Sequence, residues 1–298
     1  DDVESRGLGD VYKRQKEMIK KAKEGHYAVG SFNVTDIEMI RGIVGAAEKE
    51  NSPVIIQFAE LHDKYVPLDV IAPVMLNVAR KASVPVAVHF DHGETFDNIM
   101  RAIRLGFTSV MVDASQENFA DNLAQTKEIV KICKPLNISV EAELGPMNRE
   151  GSGDKKVDYA DLNKTYTNPQ EAKQFIEESG IDMLAVAYGT VHGVYTQKPH
   201  LSFSRLKEIS DLVDFPLVVH GASGLTDEEY RKSVENGICK INYYSEMVHR
   251  VALGVQKKLE QDDSDKQLFI SDASIWETEM VEEEIRGRLR VFGSAGKA

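Results

Sequence analysis

Residues 171–187 read EAKQFIEESGIDMLAVA, and this stretch decides the fold class. Its first half has helical apolar spacing, Gly180 is a typical helix stop, and its second half is a short apolar run typical of a buried strand. Eight such runs occur, at residues 28–33, 53–58, 85–91, 107–113, 138–143, 182–187, 216–220 and 238–242. This repeat predicts a closed (β/α)8 TIM barrel more than a doubly wound sheet.

Three segments depart from the repeat. Residues 1–15 lack a clear amphipathic period and end in DVYKRQ, which looks like a translated sequencing adapter, so we set them aside as a non-native or disordered segment. Residues 144–167 are predicted to be a lid, a binding loop or disordered. After residue 260, a polar break precedes an acidic helix. We expect one domain over residues 16–298, with this C-terminal helical extension packed on the barrel's outside or on a partner subunit.

Composition excludes several classes of function. A formal net charge of −12 over 298 residues repels polyphosphate, so we expect neither nucleic acid nor an anionic membrane as a partner. Cys133 and Cys239 have no CxxC spacing, which fits a reducing compartment without disulfides. No run approaches the roughly 20 apolar residues of a membrane helix, so a cytoplasmic protein is expected.

Unusual polar residues fall at the predicted carboxyl ends of the strands. In barrels of this kind, reactive side chains lie at those ends and in the loops that follow. His192 follows strand six by one short turn. The residues at the strand ends are Asn33, Asp91, His92, Asp113, Glu143, His220 and Asn242. A solvated surface would scatter such groups, so this pattern predicts a functional site.

Three of these residues are histidines that the fold would bring together. His92, His192 and His220 come from strands three, six and seven and supply the ligand set of a catalytic Zn²⁺ site with one open position. A lone histidine near an apolar strand is more often a hydrogen-bonded core residue. We interpret His62 in that way, and His89 as barrel filling or as a partner of a ligand.

Carboxylates accompany the histidines. Asp91, beside His92, is a candidate general acid and base, although it could instead orient a metal ligand. Asp113 and Glu143 either form a second, weaker cation site or hydrogen-bond in the barrel mouth.

Two turns after strands seven and eight are suited to phosphate. Residues 220–224 read HGASG and residues 242–245 read NYYS. Glycines let the backbone approach an oxyanion, and serine hydroxyls donate hydrogen bonds. These residues predict metal-assisted chemistry on a small phosphorylated carbonyl compound.

The same segments resemble a known family. SFNVTDIEMI, VHFDHG, VEAELG, AVAYGTVHGVY and LVVHGASGL, in this order, are similar to the class II, metal-dependent fructose-bisphosphate and tagatose-bisphosphate aldolases. The resemblance runs from about Gly30 to Gly296. It implies reversible cleavage of a ketose bisphosphate, such as fructose 1,6- or tagatose 1,6-bisphosphate, to dihydroxyacetone phosphate and an aldehyde, by a homodimer or homotetramer.

The resemblance also implies roles for particular residues. His92, His192 and His220 would bind Zn²⁺ and Asp91 would give and take the proton. Asp113 and Glu143 match residues that hold a second cation, and this cation can be monovalent. The residues that match contacts of the dihydroxyacetone phosphate half are Gly193, Gly221, Ala222, Ser223, Asn242 and Ser245.

Three departures from the family pattern put the substrate in doubt. Ala59 stands where the family commonly has a phosphate-binding serine. In the loop after strand five, Glu150 substitutes for the family's loop carboxylate only if the loop shifts by one residue. Tyr243 and Tyr244 put two aromatic residues at the predicted phosphate pocket.

Three alternatives compete with a metal-dependent aldolase. A Schiff-base aldolase would use Lys240, which equally fits as a charge partner for Glu141. A catalytically silent barrel would serve as the partner of an active subunit. A metal-dependent sugar-phosphate epimerase would need the same charge stabilisation without cleavage.

Overall fold

Eight parallel strands close into one barrel in the computed structural model of the chain. Neighbouring strands pair in sequence order, and β1 also pairs with β8 to close the ring. The structure describes residues 15–145, 166–193, 195, 198–260 and 268–298. The predicted TIM barrel is therefore confirmed.

The observed strands all begin and end within two residues of the predicted bounds. They are β1 (Val29–Asn33), β2 (Val54–Ala59), β3 (Val86–Gly93), β4 (Ser109–Val112), β5 (Ser139–Leu144), β6 (Met183–Val186), β7 (Leu217–Val219) and β8 (Ile238–Tyr243). The helices are α1 (Gln15–Glu24), α2 (Ile37–Lys49), α3 (Leu68–Lys81), α4 (Phe96–Leu105), α5 (Phe119–Leu136), α6 (Pro169–Ser179), α7 (Phe203–Val213), α8 (Asp227–Glu235), α9 (Ser245–Glu260) and α10 (Ile270–Val291). A short 3-10 helix (Glu60–Lys64) follows β2. No helix within these ranges is both long enough and apolar enough to span a membrane.

Local signals fix the ends of the helices. The Asn168 side chain accepts a hydrogen bond from the backbone N–H of Gln170, and α6 is followed by Gly180, whose φ of 77° is left-handed. Glycine adopts that conformation without the steric cost that a Cβ imposes. The helix, glycine and strand predicted for residues 171–187 therefore occur as expected.

The barrel interior changes from apolar to polar along its axis. Side chains alternate inward and outward along each strand, so every second residue points into the barrel. At the bottom, Val29, Ile55 and Ala87 pack with Met18 and Ile19 of α1. Further along the same strands come Ser31, Gln57 and His89, and then Asn33 and Asp91 at the carboxyl ends. The apolar end is thus closed by α1, and the polar end faces a cavity.

The two ends of the chain pack against the barrel. Gln15, which we set aside with the first fifteen residues, is the buried first residue of α1, so it belongs to the barrel; residues 1–14 lie outside the described ranges. At the other end, α10 packs on α2 at Gly42, where an added Cβ would lie 2.7 Å from Val281. Arg286 and Arg290 of α10 bind Glu50 at 2.8 Å and 2.6 Å. The C-terminal extension therefore covers the outside of its own barrel.

Candidate metal centre and active site

Three imidazoles meet at the carboxyl end of the barrel, as predicted. His92 lies near the end of β3, His192 follows β6, and His220 directly follows β7. Their ring centroids are 4.7 to 5.9 Å apart, and one nitrogen from each ring lies within 4.8 Å of the others. His92 has a φ of 46°, a conformation that costs a non-glycine residue energy and that often occurs at functional sites.

Carboxylates behind two of the rings orient them toward a common point. Nδ1 of His92 donates to Asp113 at 2.6 Å, and Nε2 of His220 donates to Glu141 at 2.7 Å. The remaining nitrogens, His92 Nε2 and His220 Nδ1, face each other at 3.0 Å. In neutral rings of these tautomers both carry lone pairs, which a shared cation satisfies. Zinc–nitrogen bonds of about 2.0–2.1 Å give a similar spacing in a tetrahedral site. The donor set therefore fits a divalent cation.

The surrounding charges favour a positive charge at this point. Burial lowers the pKa of His92, but the nearby Asp91 and the hydrogen bond to Asp113 outweigh it and raise that pKa to about 9. Burial raises the pKa of Asp113, yet its hydrogen bond and charge interaction with His92 hold it below its usual value. A metal ion takes the place of the proton that such an imidazole would otherwise hold.

Asp113 and Glu143 support both roles that the sequence left open. Asp113 accepts hydrogen bonds from His92 and, at 2.7 Å, from Ser115 Oγ, so it acts as a hydrogen-bonding partner in the barrel mouth. His92, Asp113 and Glu143 also form a second group whose ligand atoms lie within 4.8 Å of one another. The second cation site stays a prediction.

Asp91 lies beside the histidines and is held by three side-chain amides. Asn33, Gln57 and Asn242 donate to its carboxylate at 2.9, 3.2 and 3.1 Å. Burial alone would raise the pKa of Asp91. The charge interactions with His92 and His220 lower it by more, so the pKa lies well below its usual value. The side chain is therefore an oriented carboxylate at the cavity wall.

Lys240 has a structural partner in Glu141. Its Nζ is fully buried and donates to Glu141 at 2.8 Å. Burial raises the pKa of Glu141, but Lys240 and the hydrogen bond from His220 outweigh it and lower the pKa to about 2. Lys240 thus holds the carboxylate that orients His220, which argues against a Schiff base. His89 is also buried, with Nδ1 2.8 Å from Ser109 Oγ, as expected for barrel filling.

A cavity of about 450 Å³ opens above these residues. Small-molecule sites commonly have volumes of about 300–1,000 Å³. Most of the residues predicted from the two turns and the strand ends border it. They are Asn33, Asp91, His92, His192, Gly193, Gly221, Ser223, Asn242, Tyr243, Tyr244 and Ser245. Glu150 lies outside the described residues.

Two of the predicted substrate contacts lie differently from the others. Tyr243 reaches the edge of the cavity, but its ring packs against Phe32 and Tyr230, and its hydroxyl donates to Glu284 of α10 at 2.7 Å. Because Asn242 points into the barrel, its neighbour Tyr243 points outward. The Tyr243 hydroxyl is therefore engaged outside the cavity, and its role in substrate binding stays a prediction. Ala222 does not border the cavity; it is fully buried.

Gly221 allows the loop that carries His192 and the turn that carries His220 to contact each other. Its φ is 61°, and an added Cβ would lie 2.5 Å from the backbone of Val191 and 2.9 Å from the nitrogen of His192. Only glycine permits this approach, which brings the loop of His192 against that of His220.

Three residues of the cavity wall were not predicted from the sequence, and Leu61 is one of them. His62, interpreted as a core residue, and Lys64 both border the cavity. Their position directly after the carboxyl end of β2 was the available signal. The departure at Ala59 marks the same strand end.

Comparisons with known proteins identify the family of the chain. The family described as "Fructose-bisphosphate aldolase class-II" matches residues 13–297. The chain is 40% identical to 6-phospho-5-dehydro-2-deoxy-D-gluconate aldolase of Halalkalibacterium halodurans, covering 95% of this chain and 96% of the relative. It is 38% identical to the probable fructose-bisphosphate aldolase of Bacillus subtilis, covering 95% and 98% of the two chains.

A solved structure gives the same assignment. The crystal structure of the YdjI aldolase from Escherichia coli K12 matches with a TM-score of 0.83 and 36% identity, covering 95% of this chain and 98% of that one. The fold and the sequence therefore lead to the same family. The chain belongs to the class II fructose-bisphosphate aldolase family, whose members are metal-dependent carbon–carbon lyases.

Proposed function

We propose that the chain is a zinc-dependent aldolase that reversibly cleaves a phosphorylated ketose to dihydroxyacetone phosphate and an aldehyde. The observation that carries this proposal is the convergence of His92, His192 and His220 in one cavity with Asp91. Three imidazoles are a common ligand set of catalytic zinc. When bound there, the cation supplies a Lewis acid for the ketose carbonyl.

Asp91 is suited to move the proton of the reaction. A carboxylate has about four lone-pair positions. The amides of Asn33, Gln57 and Asn242 occupy three of them, which leaves one for a substrate hydroxyl. Asp91 accepts the hydroxyl proton during cleavage and returns it during addition. The three amides fix the direction in which that remaining lone pair points.

A phosphate on the dihydroxyacetone half fits the turn after β7 and the start of α9. Gly221, Ser223 and Ser245 border the cavity, and Ser245 is the first residue of α9. Backbone N–H groups at a helix N-terminus bind anions. Ser223 Oγ accepts a hydrogen bond from the backbone N–H of Tyr244 at 3.2 Å, so its own hydroxyl hydrogen is left for a ligand.

The candidate substrates follow from the family and its members. Fructose 1,6-bisphosphate and tagatose 1,6-bisphosphate both release dihydroxyacetone phosphate. The relative named for 6-phospho-5-dehydro-2-deoxy-D-gluconate adds a third kind of ketose phosphate. A screen of phosphorylated ketoses, coupled to detection of dihydroxyacetone phosphate, identifies the substrate.

Metal removal tests the chemistry. We expect EDTA to abolish cleavage and zinc to restore it, whereas borohydride with substrate leaves activity intact because Lys240 is paired with Glu141. An Asp91→Asn variant serves as the inactive control that still binds zinc. Purified protein that contains no metal and does not respond to added zinc would contradict the proposal.

We also propose that the chain forms a homodimer or homotetramer. An apolar groove of about 560 Å³ runs along α9, where Leu259 is 49% exposed, and it includes Tyr65, which is 62% exposed. Burial of such surface between copies is favourable. Light scattering after gel filtration tests this, and a monomer at micromolar concentration would refute it.

A further inference from the structure

The two turns suited to phosphate contact each other. They are residues 220–224 (HGASG), after β7, and residues 242–245 (NYYS), at the end of β8. The backbone N–H of Tyr244 donates to Ser223 Oγ at 3.2 Å, which joins the two turns directly. Both turns also border the cavity. A single phosphate that uses both turns therefore depends on how the turns are held relative to each other.

Each turn is anchored to an outer helix through a tyrosine hydroxyl. Tyr230 of α8 is fully buried and donates to the backbone carbonyl of Ala222 at 2.6 Å. Tyr243 is also fully buried and donates to Glu284 of α10 at 2.7 Å. Burial raises the pKa of both tyrosines well above the usual value, so both hydroxyls keep their protons. Ala222 and Tyr243 are thus the points at which the two turns are fixed to the helices outside the barrel.

One arginine of α10 contacts both tyrosines. The guanidinium carbon of Arg288 lies 5.7 Å from the ring centroid of Tyr230 and 5.7 Å from that of Tyr243. A guanidinium within about 6 Å of an aromatic ring centroid is attracted to the face of the ring. The centroids of the two rings are 6.5 Å apart, and the rings meet edge to face. Arg288 therefore packs against the anchors of both turns.

Two carboxylates fix the position of the guanidinium. Arg288 Nη1 pairs at 3.2 Å with Asp227, the first residue of α8, which is the helix that carries Tyr230. Arg288 Nε lies 3.4 Å from the Glu284 oxygen that accepts the hydrogen bond from Tyr243. Because a guanidinium is planar and its donors form a rigid fork, these contacts set the position of both tyrosines relative to each other.

On the basis of the proposed aldolase function, we propose that Arg288 is a positioning residue for the substrate phosphate and holds the two turns so that both bind the same phosphate. Arg288 is not among the described residues that border the cavity, so it acts through Tyr230 and Tyr243. Arg286, two residues earlier in α10, instead pairs with Glu50 at 2.8 Å. The C-terminal extension thus supports substrate binding at one residue and the packing of the barrel at another.

Two small zinc ligands that differ only in a phosphate test this role. A hydroxamate chelates zinc through both of its oxygens, so glycolohydroxamate and phosphoglycolohydroxamate share the same metal contact. Calorimetry on the zinc-loaded protein gives both dissociation constants, and their ratio measures the contribution of the phosphate. We expect Arg288→Met to lower the preference for the phosphorylated ligand by at least about tenfold, the loss of one charge-assisted hydrogen bond. Arg288→Lys keeps the positive charge and should lower the preference by less.

Tyr230→Phe gives a second and milder test. It keeps the ring beside Arg288 and removes only the hydroxyl that binds the Ala222 carbonyl, so it should lower the same ratio. The matched control is Arg286→Met, which removes another arginine–carboxylate pair from α10 and should leave the ratio unchanged. Because both ligands bind the same zinc ion, a general loss of folding or of zinc affects them alike and does not change their ratio.

Two outcomes overturn the proposal. One is an Arg288→Met variant with the same ratio as wild type, and the other is an equal fall of the ratio in Arg286→Met. If Arg288→Met does not fold, Tyr230→Phe decides, and an unchanged ratio there refutes the inference. A phosphate preference that survives these substitutions leaves the proposed aldolase function intact. A wild type that binds both hydroxamates equally lacks the phosphate site itself, and the proposed function then fails as well.

Discussion

Replacing Gly221 by alanine should disrupt the metal centre although no metal ligand is changed. The new Cβ would lie 2.5 Å from the backbone of Val191 and 2.9 Å from the nitrogen of His192. Ordinary contacts begin at 3.4 Å, so the two loops must separate by about 0.9 Å, whereas metal–ligand distances tolerate only about 0.2 Å. His192 then moves away from His92 and His220.

The size of the effect follows from these distances. A left-handed φ costs an alanine about 1–2 kcal/mol relative to glycine, which lowers the free energy of unfolding. Disturbing a group that positions a metal ligand commonly costs about tenfold to a hundredfold in metal affinity. We expect Gly221→Ala to lose at least that much zinc affinity, because a ligand itself is displaced, and to lose kcat/KM in parallel.

Competition titration against a chromophoric zinc chelator measures the affinity. Two control variants separate the effect of the left-handed backbone from the effect of the steric clash. Gly296→Ala has a φ of 76° but nothing within 4 Å of the new Cβ, and Gly287→Ala in α10 has neither strain nor a close contact. Both should bind zinc like wild type. If Gly221→Ala binds zinc as tightly as Gly296→Ala, the loops do not need this glycine and the reasoning is wrong.

Three further predictions concern buried charges. Asp91→Ala should abolish turnover while zinc stays bound, as measured by metal analysis and the coupled assay, and retained activity would rule out its proton-transfer role. Lys240→Met should lower the free energy of unfolding by about 3–5 kcal/mol because Glu141 is left as an unpaired buried charge. In urea unfolding, the double variant Lys240→Met with Glu141→Gln should recover part of that loss. If the two substitutions change the free energy of unfolding additively, the two residues are not paired. Burial and the charge of Asp36 raise the pKa of Glu277 from 4.5 to about 7, so the folded chain holds this proton to higher pH than the unfolded chain. This contribution to stability is present below pH 4.5 and is lost as the pH rises to 7. The free energy of unfolding of the wild type, relative to that of Glu277→Gln, should therefore fall between pH 4.5 and pH 7. If the two proteins show parallel dependence of stability on pH, the prediction is wrong.

Much of the fold could be predicted because its signals are local. The helical spacing of residues 171–179, the stop at Gly180 and the apolar run that follows are properties of adjacent residues. Parallel strands in a closed barrel end on the same face, so the positions of His92, His192 and His220 at or just after strand ends sufficed to predict that they meet. The outward direction of Tyr243 was also available, since Asn242 next to it points inward.

Only the tertiary structure decided how those residues are supported. Glu141 and His220 are 79 residues apart, and nothing local indicates that one orients the other. The need for Gly221 depends on the path of the loop after β6. The placement of His62 depends on two hydrogen bonds, from Leu68 of α3 to Asp63 and from Asn98 of α4 to Glu60. Sequence determined which chemical groups reach the mouth of the barrel, because strand period and barrel closure are regular. Their partners, tautomers and distances depend on loops that meet only in three dimensions.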